Sequence, residues 1–386
     1  MATRTISDAG GNWDAVGTWV EGAVPLSGDN VVATATSGQV TVNITTAKCS
    51  TLILTNYVAQ MTFTAGMKLT VNTTVTFVAG MSLAGTGTLQ INNTGTITSA
   101  GLTFPGSIIF YGGTFTLADT WTVSGDVKNQ GNNSILNGNT LNIGGNLTLT
   151  SYDVSGTTNI VLNGTGTWHS NNQGATLKNN ITINTAGTIT LGTHVAKEGG
   201  TFTYTAGTVN VGTSTLYTGK NTTLNIGSLS LYNLMIVSMN FTLTLGSDLN
   251  ITNNFTLNYN VSGTLTIAGN YNITCGRFYI YTYRSVTFNF TSSQTFTINT
   301  GLYMSGRTDA ALTMKARTAS TAFNLVFNGT AANCSIYRAT FTDVNASDSA
   351  IGLDNWYGGT LTRTTNITNR TSADIGGITQ NVFGII

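Results

Sequence analysis

"KLTVNTTVTFV", residues 68–78, decides the fold. Leu69, Val71, Val75 and Phe77 fall on one side of an extended chain, and Thr70, Asn72, Thr74 and Thr76 fall on the other. Successive side chains of a strand point to opposite faces, so this two-residue period describes a strand with one dry and one wet face. Threonine suits the wet face because its branched Cβ favours extended backbone. "TFTYT" from Thr201 and "FTLTL" from Phe241 follow the same rule, and no long stretch shows the 3.6-residue period of a helix. The chain reads as all-β.

Turn signals space these strands. "SGDV" at Ser124 is echoed by "GGNL" at Gly144, and "GSDLNIT" at Gly246 by "AGNYNIT" at Ala268, in steps of roughly twenty residues. "TAGMKL" at Thr64 is echoed sooner, by "VAGMSL" at Val78. Glycine at such corners is expected to supply positive φ, and the following Asn or Asp to hydrogen-bond its own turn. One coil per twenty-odd residues, with two or three short strands each, predicts a right-handed parallel β-solenoid of about fifteen coils. A β-sandwich uses similar strands, but the repetition here runs longer than one sandwich core reaches, and stacking like on like favours a monotonous alphabet. The organisation expected is an N-terminal cap over residues 1–40, a solenoid body over 41–310, and C-terminal coils with a capping tail over 311–386.

Composition narrows the function classes. Charged residues make up 8% of the 386, against roughly 25% in an average soluble domain, while 40% are apolar and 45 are glycine. Such sparse charge argues against a free cytosolic monomer. The net charge is +1 and the 15 Lys and Arg are scattered, so the basic stripe a nucleic-acid partner requires is missing. No apolar run is long enough to cross a bilayer, and "MATRTISDAGGN" lacks the basic and apolar regions of a Sec-type signal. Cys49, Cys275 and Cys334 are far apart and form no CxxC, which predicts buried thiols acting as small hydrophobes.

"GNWDAVGTWVEGAVPLSGDNVV", residues 11–32, departs from the rest of the text. A solenoid has exposed ends whose strand edges recruit other chains, so terminal segments must cover them. Trp13 and Trp19 are expected to close the first coil, with Pro25, Glu21 and Asp29 discouraging edge pairing. This stretch resembles the G-x-W…TW…G…P-x-x-GD-x-V opening of phage-encoded and bacterial surface β-helix proteins, and is similar to the start of G8-type modules. "LTMKARTASTAFNLVFNGTAANCSIYRATFTDVNASDSAIGL", from Leu312 to Leu353, looks like the closing coil of the same broad group. The resemblance covers the two ends, and the middle matches in style only. It implies a virion or surface protein.

An enzyme on such a scaffold would most plainly cleave polysaccharide, which needs two carboxylates about 5–10 Å apart. Between Asp29 and Asp119 there is no acid. Asp126 and Asp153 lie a little over one coil apart, but Asp126 sits in a corner where it caps its own turn. The densest ionisable stretch is "GTHVAKEGG", with His194, Lys197 and Glu198. His169 has no evident partner, and two histidines without a third ligand make no metal site. Asp343, Asp348 and Asp354 lack the repeated calcium signature of β-rolls. No catalytic residue, metal or cofactor is therefore predicted.

Surfaces are more informative. In "RFYIYTYRSVTFNF", residues 277–290, alternation sends Phe278, Ile280, Val286, Phe288 and Phe290 inward and Arg277, Tyr279, Tyr281 and Tyr283 outward. A tyrosine row suits sugar rings or a protein interface. Thr-x-Thr pairs such as Thr242/Thr244 recur without fixed spacing, as β-propensity alone produces. The apolar end, Val382, Phe383, Ile385 and Ile386, would fray unless docked, and is expected to serve assembly. The function expected is a non-enzymatic phage tail fibre or spike, a homotrimer on the virion surface that contacts other virion proteins and a host surface glycan. Capsid decoration, a polysaccharide depolymerase and a secreted adhesin are the alternatives.

Overall fold

A computed structural model describes residues 1–150, 152–172, 174–258, 260–357 and 360–371. The four residues of the predicted assembly tail lie outside the described residues. Among those described there is no α-helix, only the 3-10 turns Val16–Thr18 and Ala331–Asn333, and the strands form a parallel β-solenoid of about 16 turns. The coils divide into two compact units, 1–217 and 218–386.

In the first unit the strands stack in three columns. One runs through Thr3–Thr5, Asn30–Val32, Thr51–Ile53, Val75–Thr76, Gly95–Thr98, Gly113–Leu117, Ser134–Gly138 and Val154–Ser155. Another begins Ala47–Cys49, Lys68–Val71, Thr88–Asn92 and Ser107–Tyr111. A third contains Trp121–Val123, Leu141–Ile143 and Ile160–Leu162. Residues 68–78 thus hold two strands and a corner, yet Leu69, Val71, Val75 and Phe77 are all buried. The corner preserves parity because three residues separate Val71 from Val75.

Parallel register turns this alternation into ladders. Leu69, Leu89, Ile108, Val127, Leu147 and Trp168 stack inside, one per coil, all buried. Thr70, Gln90, Ile109, Lys128, Thr148 and His169 stack outside in the same register. The second unit keeps the scheme with a phenylalanine-rich core. Phe278 meets Phe255, Phe288 and Phe296 edge-on at centroid distances of 5.3, 5.4 and 4.9 Å. Thr264, Thr287, Thr313 and Thr340 stand in one straight outer row. Their spacing looks irregular in the sequence only because the connecting loops differ in length.

The corners differ from expectation in two ways. Gly66 and Gly80 do adopt positive φ, but Gly125, Gly145 and Gly166 do not. A Cβ at Gly145 would lie 2.8 Å from the Gly125 carbonyl oxygen, and one at Gly166 2.2 Å from that of Gly145. Glycine is required there because the coil below presses on it. Asp126, moreover, does not cap its own turn: its Oδ1 accepts from the Asn146 amide at 2.8 Å and from Asn146 Nδ2 at 3.0 Å, 20 residues on. Asn146 Oδ1 accepts in turn from the Thr167 amide at 2.7 Å. The echo between "GSDLNIT" and "AGNYNIT" is offset by two residues, since Leu249 pairs with Ile273 and not with Tyr271.

The N-terminal segment closes the first coil. Trp13 and Trp19 are buried, their rings edge-on at 5.0 Å, and Trp19 Nε1 donates to the Trp13 carbonyl at 3.0 Å. The chain then runs back antiparallel along the first strand. The Val20 amide donates to the Thr5 carbonyl, the Ser7 amide to the Thr18 carbonyl, and Ile6 bridges Trp19. Glu21 completes this edge by accepting from the Thr5 amide at 2.8 Å. Asp29 and Pro25 lie farther along the same segment. Asp29 is buried and accepts from the Ala2 and Leu26 amides and Arg4 Nε, contacts that hold its carboxyl below the usual range, and Pro25 is itself buried.

Phe278→Ala should cost about 3–5 kcal/mol, the range for truncating a buried phenylalanine. Chemical denaturation of the two proteins measures it.

Candidate functional site

The strand Ile273–Tyr281 bends at Gly276, where a Cβ would lie 2.6 Å from the Thr252 carbonyl oxygen of the coil before. Beyond the bend alternation holds: Phe278 and Ile280 are buried, Arg277 and Tyr279 exposed, and Tyr281 half-buried. Tyr283 follows in the turn and is exposed. Its ring meets that of Tyr281 edge-on at 4.9 Å. The hydrogen bond between these two tyrosines is the chief reason the Tyr281 hydroxyl titrates above its ordinary value.

The next coil extends the surface. Thr295–Ser305 stacks on this strand with Arg277 over Gly301, Tyr279 over Tyr303 and Tyr281 over Ser305. The Tyr279 and Tyr303 rings lie 6.0 Å apart. A Cβ at Gly301 would meet the Tyr303 ring at 2.6 Å and Arg277 Cγ at 3.3 Å, so glycine makes room for both side chains to lie against the sheet. Tyr279, Tyr281, Tyr303, Ser305 and Ser335 line a shallow groove floored by Ile280 and Met304. Arg307 sits 5.2 Å over the Tyr283 ring and Arg338 5.1 Å over the Tyr337 ring. Tyr303, Arg307 and Arg338 were not singled out from the sequence. "GLYMS" at 301–305 alternates like "RFYIY" at 277–281, and that echo was the available signal.

The ionisable stretch around His194 is taken apart by the fold. His194 stacks on Tyr217 at 5.5 Å, whereas Lys197 turns into the core and is fully buried. Its ammonium donates to the Gly199 carbonyl. His169 lies on Gly166–Ser170, over Gly192, and pairs with Thr148, while His194 pairs with Thr215. Among the described residues no group of three or more His, Cys, Asp or Glu could hold a metal. The acids are committed elsewhere. Asp153 binds Lys178 and the Thr176 amide and hydroxyl, Asp343 binds Arg363 through both oxygens, and Asp354 binds Arg370 at 2.9 Å. Cys49 and Cys275 are buried free thiols whose pKa burial raises, and Cys334 is half-buried and pushed up to about 11, chiefly by burial.

Compared with known proteins, the chain matches no family model, no curated protein sequence and no solved structure.

Burial alone draws the Lys197 pKa down to about 7. The unfolded chain keeps this proton up to about pH 10.4, so between about pH 7 and 10 it binds more protons than the folded chain, and stability rises with pH across that window. Lys197→Met should therefore stabilise the protein by on the order of 3 kcal/mol at pH 7, with the gain shrinking as the pH is raised toward about 10. Denaturation midpoints of both proteins across that range test it.

Proposed function

We propose that the chain is a non-enzymatic phage virion protein, part of a tail fibre or spike, and that the tyrosine platform of its second unit contacts carbohydrate on the host envelope. The observation that carries this reading is the register of Tyr279 over Tyr303, with the Tyr281 and Tyr283 rings beside them. A pyranose presents a flat C–H face ringed by hydroxyls, and a tyrosine ring offers it an apolar face with a polar rim. Exposed rings gathered at one place signify a partner, since solvent alone gives them no reason to cluster.

The scaffold suits attachment. Coils clamped on both sides hold the rings in fixed positions, which lowers the ordering cost on binding. A homotrimer would carry three platforms, and several weak contacts on one particle gain strength through effective concentration. The resemblance of residues 11–32 and 312–353 to phage-encoded β-helix proteins supports the virion setting.

Gold-labelled antibody against the folded chain should mark the tail or its tip in electron micrographs of the source particles. Label over the head would mean capsid decoration, and label on cells without particles would refute the phage setting. Tyr279→Ala combined with Tyr303→Ala should lower adsorption to host cells about tenfold or more, at roughly 1 kcal/mol per ring per platform. Unchanged adsorption by a folded variant would remove the platform from the proposal.

A further inference from the structure

Resting on that reading, we infer that the platform takes an acidic polysaccharide, a chain bearing carboxylate, sulfate or phosphate groups along its length. The distribution of charge around the rings points to it. Three arginines lie against this face: Arg277 beside Tyr303 over Gly301, Arg307 over Tyr283, and Arg338 over Tyr337 with Nη1 donating to Thr308 at 2.5 Å; Arg284 follows Tyr283 in the chain. In the three segments that build this face, 273–285, 295–309 and 333–338, the one acid is Asp309, which pairs with Arg307 at 3.4 Å. Arg277 and Arg284 are exposed and make no ion pair among the described residues. Arg338 likewise makes no ion pair among the described residues, so this face carries positive charge that no carboxylate of its own segments offsets.

The two features read different parts of one ligand. Rings at 6.0 Å, on strands that stack in register, accept the apolar faces of sugar units. Guanidiniums are planar, always charged and weakly hydrated, which fits them to carboxylate, sulfate and phosphate oxygens on the ligand's edge. Each exposed pair contributes little, so discrimination must come from several pairs together and must weaken with salt. Single-stranded nucleic acid also combines flat rings with anions. It is disfavoured because a few arginines at one place make a patch, while a strand needs a cationic groove that continues along its backbone, and the other Lys and Arg are scattered.

Binding of the full chain to polygalacturonate and to its methyl ester, which share a backbone and differ in charge, tests the inference. Alginate, dextran sulfate, dextran and oligo(dT) complete the set. At low salt at least one acidic polymer should bind about tenfold more tightly than its neutral counterpart, and the preference should fade by about 0.5 M salt. Arg277→Gln with Arg284→Gln should erase the preference, while Tyr303→Ala should weaken acidic and neutral polymers alike. Equal binding of acidic and neutral polymers, lost in Tyr303→Ala, would overturn the inference and leave the carbohydrate reading standing. Failure to bind any polysaccharide would overturn both. Oligo(dT) bound more tightly than every polysaccharide would overturn the inference in favour of nucleic acid.

Discussion

Parallel stacking of one coil on the next is the constraint from which the rest follows. Each strand lends its backbone groups to the coils on both sides, so a coil cannot choose its inward and outward residues independently. A slip of one residue would bring Thr70 inside and Leu69 outside, and would do so at every rung above. The long inner ladders and the long outer rows are two views of this one restriction. A narrow alphabet of Thr, Asn, Gly and aliphatic residues satisfies it with little variation.

Corners carry the same constraint by other means. A turn that only satisfied itself would leave amides of the adjoining coil without a protein partner. Asp126, Asn146 and their counterparts reach to the following coil and accept its backbone N–H. Asp248 and Asn272 do so in the second unit, at 2.8 Å to the Asn272 amide and 2.9 Å to the Thr295 amide. Where the lower coil's carbonyls crowd the turn, only glycine fits. Among the described residues no coil stacks below the first, and there an antiparallel return of the chain, the paired tryptophans and the Glu21 carboxylate cover it.

The dry and wet faces were legible because alternation is a local property, and so was the tryptophan closure, which stood out against a uniform text. Register was less legible. Text similarity placed Tyr271 over Leu249, but the second coil is two residues longer, and only loop geometry decides which rung a residue joins. For that reason Tyr279, Tyr281 and Tyr283 were visible and their neighbour Tyr303 was not. The ionisable stretch around His194 was not legible as to which side chain points inward. Val195, Ala196 and Lys197 are consecutive and all buried, since the chain turns a corner there and the lysine follows it inward. A stretch that reads as a polar cluster is in fact divided between surface and core.

The most direct test of the account is the register of Tyr279 on Tyr303. In-register neighbours on parallel strands lie about 4.8 Å apart, within the Cα range of a disulfide. In a Cys334→Ala background, Tyr279→Cys with Tyr303→Cys should oxidise within one chain, whereas Tyr279→Cys with Met304→Cys should not, since Met304 faces the core. Rapid bonding of the offset pair, with none in the first, would contradict the stacking on which both the fold and the platform rest.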